Sequence, residues 1–371
     1  TRGRARLLFE MLQGDPLRGG WRDEHVKEAL DLCLSCKGCK GECPVGVDMA
    51  TYKAEFLSHY YAGRLRPPSA YAFGLIMYWA RLAALAPALA NAATQTPGLA
   101  AALKRVAGMA PERRVPAFAP FTFRDWFRRR GERNAGRPRL ILWPDTFNNA
   151  FHPGTAIAAV EVLEAAGYQV ILAPHTCCGR PMISKGLVEP ARRRARRNIE
   201  LLLPLAEGGI PVVGLEPSCI LSLRDEYLAL VPGEATRKVA SVCLTFEELL
   251  AGRDLPLRPR PGPILVHGHC HQKALVGSAP TLELLRRLPG AEVREVDSGC
   301  CGMAGAFGYE AEHYEISEAI GRRRLIPAAR QAAQEGATVV AAGTSCRQQL
   351  ADLARVRALH PAEILAQSLE V

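Results

Sequence analysis

The hydrophobic pattern of this chain changes character near residue 138. Before that point the apolar positions recur at helical spacing. A basic start (Arg2, Arg4, Arg6) leads into Leu7, Leu8 and Phe9. Asp23 precedes one apolar-periodic run reaching Leu32, and Asp48 precedes another through Tyr52, Phe56, Leu57 and Tyr60. An aspartate so placed caps the free amides of a helix start, so residues 1–62 predict a helical domain around an intervening loop. Residues 63–137 are rich in Pro, Ala and Arg and predict a connector with helical pieces. It ends in Phe121-Thr122-Phe123-Arg124-Asp125-Trp126-Phe127, whose aromatics are expected to staple it to a partner surface. Residues 72–92 are apolar apart from Arg81 and are broken by Pro87. A spanning helix needs about 20 apolar residues without a central charge. This stretch therefore predicts a helix packed on another domain or lying at an interface, with peripheral membrane association left open.

From residue 138 to 371 short apolar strands alternate with long helical runs, and the pattern occurs twice, over about 138–254 and 262–371. Leu140-Ile141-Leu142-Trp143 matches Ile264-Leu265-Val266-His267. Cys177-Cys178-Gly179 matches Cys300-Cys301-Gly302, and Pro217-Ser218-Cys219 matches Thr344-Ser345-Cys346. The predicted fold is thus a helical domain followed by a duplicated α/β domain with mainly parallel strands. Every cysteine element of the duplication falls just after a strand, where open α/β sheets gather ligands.

With 371 residues and 48% hydrophobic content the chain can bury a large core in two or three domains. The net charge of +10 comes mainly from Arg runs such as Arg192–Arg194. No nucleic-acid motif accompanies them, so solvated helix faces are expected and no nucleic-acid partner. Twelve cysteines, clustered, point to metal binding in a reducing compartment instead of a disulfide scaffold.

Cys33, Cys36, Cys39 and Cys43, followed by Pro44, form a C-x2-C-x2-C-x3-C-P run. That spacing is the bacterial ferredoxin signature of a [4Fe–4S] cluster, and it fits structural zinc poorly. In two-cluster ferredoxins the fourth cysteine serves the other cluster, yet no second such run exists here, and the chain starts at Thr1. The expectation is a piece of a longer polypeptide with a first cluster motif upstream; a one-cluster protein completed by Cys43 or a distant thiol stays open. In the second repeat Cys270, Cys300, Cys301 and Cys346 come from three strand ends and can converge on one metal centre. In the first, Cys177, Cys178 and Cys219 recur, but Thr146 stands at the place of Cys270. His175, His267, His269, His271 and His360 lie near these loops as ligands, supporting groups or plain structural residues. Cys243 is read as a repeat-boundary residue outside the site.

Taken together, these motifs resemble the iron–sulfur portion of FAD-linked 2-hydroxyacid oxidoreductases. That group includes glycolate oxidase iron–sulfur subunits and fused D-lactate and D-2-hydroxyglutarate dehydrogenases with a cysteine-rich "CCG" domain. The Cys-Cys-Gly repeat also resembles that of heterodisulfide reductases and of the anaerobic glycerol-3-phosphate dehydrogenase iron–sulfur subunit. The resemblance implies a ferredoxin-like domain at 1–62 and a CCG domain at 138–371. It implies a [4Fe–4S] cluster on Cys33, Cys36, Cys39 and Cys43, and a metal or second cluster at the CCG cysteines. FAD is expected on an upstream domain or partner subunit, and electrons pass on to quinone or a redox protein. The expected location is cytoplasmic, or peripheral on the cytoplasmic membrane face. Two alternatives stand beside this: a thiol–disulfide enzyme like the heterodisulfide group, and a zinc-held scaffold.

Overall fold

The computed structural model describes residues 1–370. Four strands, β1 (Arg139–Trp143), β2 (Gln169–Ile171), β3 (Val212–Gly214) and β4 (Cys243–Thr245), lie parallel in the order β2-β1-β3-β4. Three more, β5 (Gly262–His267), β6 (Ala291–Glu295) and β7 (Thr338–Ala341), lie parallel in the order β6-β5-β7. A parallel bridge from Val340 to Leu359 occupies the place of β4 in the second sheet. The duplication read in the sequence is therefore a duplication of topology.

Strand alternation explains how one core joins the repeats. Side chains of β1 point alternately to opposite faces. Leu140 and Leu142 enter a cluster that also holds Val213 of β3, Ile264 and Val266 of β5 and Val340 of β7. Ile141 and Trp143 face a separate cluster on the other side of the first sheet, and Leu265 and Val339 do the same for the second. Both faces are covered, as all-parallel sheets require. Helices Pro153–Ala165 and Pro361–Ala366 meet in the shared core.

The N-terminal region is helical, as expected: α1 (Arg2–Gln13), α2 (Glu24–Asp31), α3 (Gly38–Glu42) and α4 (Met49–Tyr60). Asp23 caps α2 through the amides of His25 and Val26, and Asp48 caps α4 through those of Ala50 and Thr51. Val26, Leu30, Met49 and Phe56 form a small core with Leu8 and Met11, and Cys33 and Cys39 pack at its edge.

The connector departs from expectation in two places. Residues 72–92 do not form one helix. They run through α5 (Pro68–Gly74), α6 (Ile76–Leu85) and α7 (Pro87–Gln95), with α8 (Pro97–Val106) following. Three of the four begin at a proline, which starts a helix readily and cannot continue one. The aromatic segment forms α9 (Phe123–Arg130), and its Phe123 and Phe127 are buried in the core shared by the two repeats. They staple the connector to the chain's own α/β domain, a contact made by tertiary packing that no local pattern announced. Among the described residues no helix is long and apolar enough to cross a membrane.

Two polar contacts lock these parts together. Arg113 of the connector is fully buried against the second repeat, donating to Gly308 O (2.6 Å), Gln349 Oε1 (2.6 Å) and Ser317 Oγ (3.0 Å). His313 of the second repeat reaches Asp31 at the end of α2 (3.0 Å) and Glu310 (3.2 Å). Burial opposes its charge, but these two carboxylates win and raise its pKa to about 9. A raised histidine contributes fully below the free value near 6.5 and loses its contribution as pH climbs through about 9. Allowing for the partial exposure of Asp31, we expect about 2 kcal/mol of stability to fade over that window. His313→Gln should flatten this alkaline limb. Thermal unfolding of both proteins between pH 6 and 10 checks it, and parallel profiles would refute the assignment.

Candidate metal centres

The CCG cysteines gather because parallel strands deliver successive loops to one sheet edge. The glycine closing each Cys-Cys-Gly is a backbone requirement. Gly179 (φ 83°) and Gly302 (φ 95°) are left-handed, and a Cβ at Gly302 would lie 2.4 Å from Ser317 O. In the second repeat the donors fall into two tight groups. His267, Cys301 and Cys346 each bring one ligand atom within 4.8 Å of the others, and so do His269, Cys270 and His271. Gly343 lets the loops close, since a Cβ there would stand 2.3 Å from His269 Cδ2.

The residues present fit a bound metal. His267 Nδ1 is held by Ser298 Oγ at 2.9 Å while its buried Nε2 has no partner, the arrangement by which a metal-ligating histidine is oriented. His271 Nε2 is likewise buried and unpartnered. Burial lowers the pKa of His267 to about 3 and that of His269 to about 4, so both imidazoles are neutral. The thiol of Cys270 is held well above its usual pKa, by its hydrogen bond with Cys300 first and burial second. Buried thiols this close cannot all ionise unless a cation shares their charge.

The first repeat holds less. Cys177, Cys178 and Cys219 are buried neighbours, with Thr146 beside Cys177. In Cys219 the bond to Cys178 favours the thiolate, but burial and the carboxylates of Asp145 and Glu216 prevail and push its pKa up to about 12. His175 lies between the carbonyls of Ala173 and Pro144 and against Trp143. His360 caps helix Pro361–Ala366 and contacts Leu215 O. Both have structural partners and sit apart from the two donor groups. Cys243 opens β4 and donates to Val239 O (3.2 Å).

The N-terminal loop docks onto both repeats. The Cys36 thiol neighbours Cys300, and that thiol, with burial, holds the Cys36 pKa far above its ordinary value. Charge from Cys36 also reaches Cys270. Cys39 lies near Cys33 and Cys36 and accepts from Met49 N at 3.4 Å. Cys43 is half-buried like the other three, and the amides of Val47, Val45 and Gly46 lower its pKa. The structure thus brings Cys33, Cys36 and Cys39 towards one another and carries Cys36 to the second repeat.

A buried charge network, which sequence reasoning missed, fixes the loop. Lys37, left-handed at φ 62°, places Nζ 2.8 Å from Asp48 and 3.1 Å from Glu226, and pairs with Asp225. Lys40 pairs with Asp225. Arg180, next after the first Cys-Cys-Gly, donates to Glu226 (2.7 Å) and Ser35 O (3.0 Å). Lys37 and Asp225 are 188 residues apart in the chain, so no local motif could announce their meeting.

The cysteine-rich (CCG) domain family matches residues 146–224 and 264–351. One subunit of the anaerobic glycerol-3-phosphate dehydrogenase of Escherichia coli (strain K12) is 34% identical over 265 residues, covering 69% of this chain and 66% of the relative. The D-2-hydroxyglutarate dehydrogenase of Pseudomonas putida is 29% identical over 356 residues, 92% of this chain but 34% of the relative. The glycolate oxidase iron-sulfur subunit of Escherichia coli (strain K12) is 25% identical over 400 residues, 100% of this chain and 88% of the relative. The chain spans just under two thirds of the first of these relatives and about a third of the second.

Proposed function

We propose that this chain, an oxidoreductase component carrying the CCG cysteine-rich domain twice, is the iron–sulfur conduit of a FAD-linked D-2-hydroxyacid dehydrogenase or oxidase. The substrate class is glycolate, D-lactate or D-2-hydroxyglutarate, oxidised on a FAD-binding domain or subunit, and the acceptor is quinone or a redox protein. The observation that carries the reading is the seat of the ferredoxin-type loop, whose helix α3 packs on helix Cys270–Leu275 of the second repeat and brings Cys36 near Cys300. In this reading the helical domain is ferredoxin-like. Cys33, Cys36 and Cys39 would hold a [4Fe–4S] cluster, with Cys43 or a thiolate from outside the chain as the fourth ligand. Such a cluster supplies one-electron steps between a two-electron flavin donor and the acceptor.

The chain's own residues position the loop and set its electrostatics. Lys37, Lys40 and Arg180 are matched by Asp48, Asp225 and Glu226, so the network is charge-balanced. Lys37→Met removes a buried cation and leaves a net negative charge beside the loop. It should lower the reduction potential by an amount on the order of tens of millivolts. An EPR-monitored redox titration reads this, and an unchanged potential would count against the loop as the cluster site.

The direct test uses the chain with its flavin partner, purified without oxygen. Glycolate, D-lactate or D-2-hydroxyglutarate should each be tried for the appearance of a reduced-cluster EPR signal. If none reduces a cluster, the conduit reading fails. A second reading has its own observation: His267, Cys301 and Cys346 are spaced closely enough for a single N/S-ligated ion, so a zinc-held scaffold suits the second repeat. Metal analysis separates the two. The thiol–disulfide alternative calls for turnover of a disulfide without flavin, and a flavin-free disulfide-reduction assay on the same preparation tests it.

A further inference from the structure

Lys53, on α4, is 8% exposed and makes no ion pair with a carboxylate among the described residues. Its Nζ donates instead to two backbone carbonyls at the end of α2, Cys33 O at 2.8 Å and Asp31 O at 3.1 Å. Asp31 and Glu310 act on it only from beyond ion-pair distance. Both are already engaged, Asp31 by His313 and Glu310 by His313 and Lys185. Three cations, Lys53, Lys185 and protonated His313, thus face two carboxylates where the helical domain meets the repeats. The Lys37 network differs, since Lys37, Lys40 and Arg180 meet Asp48, Asp225 and Glu226 in equal number.

A lysine can cap the last carbonyls of a helix, but such a side chain ordinarily keeps its ammonium in water. Lys53 does not. An ammonium in the interior without an anion is strongly unfavourable, and two neutral carbonyls do not cancel its charge. Among the charges that favour its own, that of Cys33 comes first. An anionic group on the cysteine loop would supply the missing partner, and a cluster held by thiolates is such a group.

We propose that Lys53 is the counter-charge of the iron–sulfur cluster on the N-terminal loop, holding the Cys33 backbone in place and raising the potential of that cluster. The assignment rests on the electron-conduit reading and adds to it the residue that tunes the loop. Reduction there adds one negative charge, delivered by the partner's flavin, beside a cation that no carboxylate neutralises. In that one-electron step Lys53 forms no bond and gives up no proton.

The test is an EPR-monitored redox titration of the anaerobically purified, iron-loaded full chain, following the signal that Cys33→Ala with Cys39→Ala abolishes. Lys53→Met removes charge and donor, and Lys53→Gln removes the charge but keeps a donor. Both should lower the reduced-to-oxidised ratio at a fixed potential about tenfold, which is about 59 mV for a one-electron couple. Lys53→Arg, which keeps the charge, should stay close to the unmodified chain. Unfolding gives a second reading. Iron loading should raise the denaturation midpoint of the unmodified chain more than that of Lys53→Met, whereas a plain helix cap predicts equal gains. Unchanged potentials in Lys53→Met and Lys53→Gln, an equal fall in Lys53→Arg, or equal gains on loading would overturn the counter-charge. Failure of all three variants to hold iron would overturn it as well, whereas loading of Lys53→Arg alone supports it. Failure of the conduit reading is seen without any Lys53 variant, as a signal that survives the double cysteine substitution or that the flavin partner cannot reduce.

Discussion

Replacing Cys33 and Cys39 together by alanine should remove the iron and the EPR signal of the N-terminal loop and leave any metal of the second repeat in place. Cys36→Ala should disturb both. The difference follows from where the thiols sit. Cys33 and Cys39 belong to the edge of the small helical core, whereas the Cys36 thiol neighbours Cys300, which in turn neighbours Cys270. Anaerobic iron, sulfide and zinc analysis with EPR reads all three proteins. If the double variant loses iron and keeps zinc, the second repeat is a zinc-held scaffold. Surviving iron with a second signal makes it a redox centre. Should Cys36→Ala behave like any other loop cysteine, the contact between loop and second repeat carries no metal chemistry.

Arg113→Ala should cost about 3–5 kcal/mol, a large part of a typical domain's stability of about 5–15 kcal/mol. Its guanidinium is wholly buried, donates to one carbonyl and two side chains, lies 3.4 Å from Asp352 and rests over the ring of Tyr314. Truncation strands each of these partners out of water. Arg113→Lys should recover little, because one ammonium cannot reproduce the planar fork. Denaturant unfolding measures both variants, and a loss under about 1 kcal/mol for alanine would show the contact to be incidental.

How legible the molecule was depends on the range of each interaction. The caps of α2 and α4 were readable because Asp23 and Asp48 act on amides two and three residues away. The duplication was readable because strand, loop and Cys-Cys-Gly recur in register, and Gly302 occupies a conformation few other residues adopt. Within 72–92 the break at Pro87 was readable, but the end of α5 at Gly74 was not, because the apolar run continues across it. Glu216 escaped notice as well. Its Oε2 accepts from Thr344 N (2.8 Å) and its Oε1 lies 3.6 Å from His269, so this carboxylate of the first repeat braces the loops of the second.

The sequence by itself determined the helical and α/β divisions, the paired topology and which loops the clustered cysteines occupy, because period, capping and motif spacing act over a few residues of backbone. Only the tertiary structure decided which thiol meets which, that Lys37 is neutralised by Asp225, and that the connector walls a cavity ending at the CCG loops. Those outcomes depend on desolvated charges and packed faces brought together from segments more than a hundred residues apart, and no local pattern encodes such a meeting.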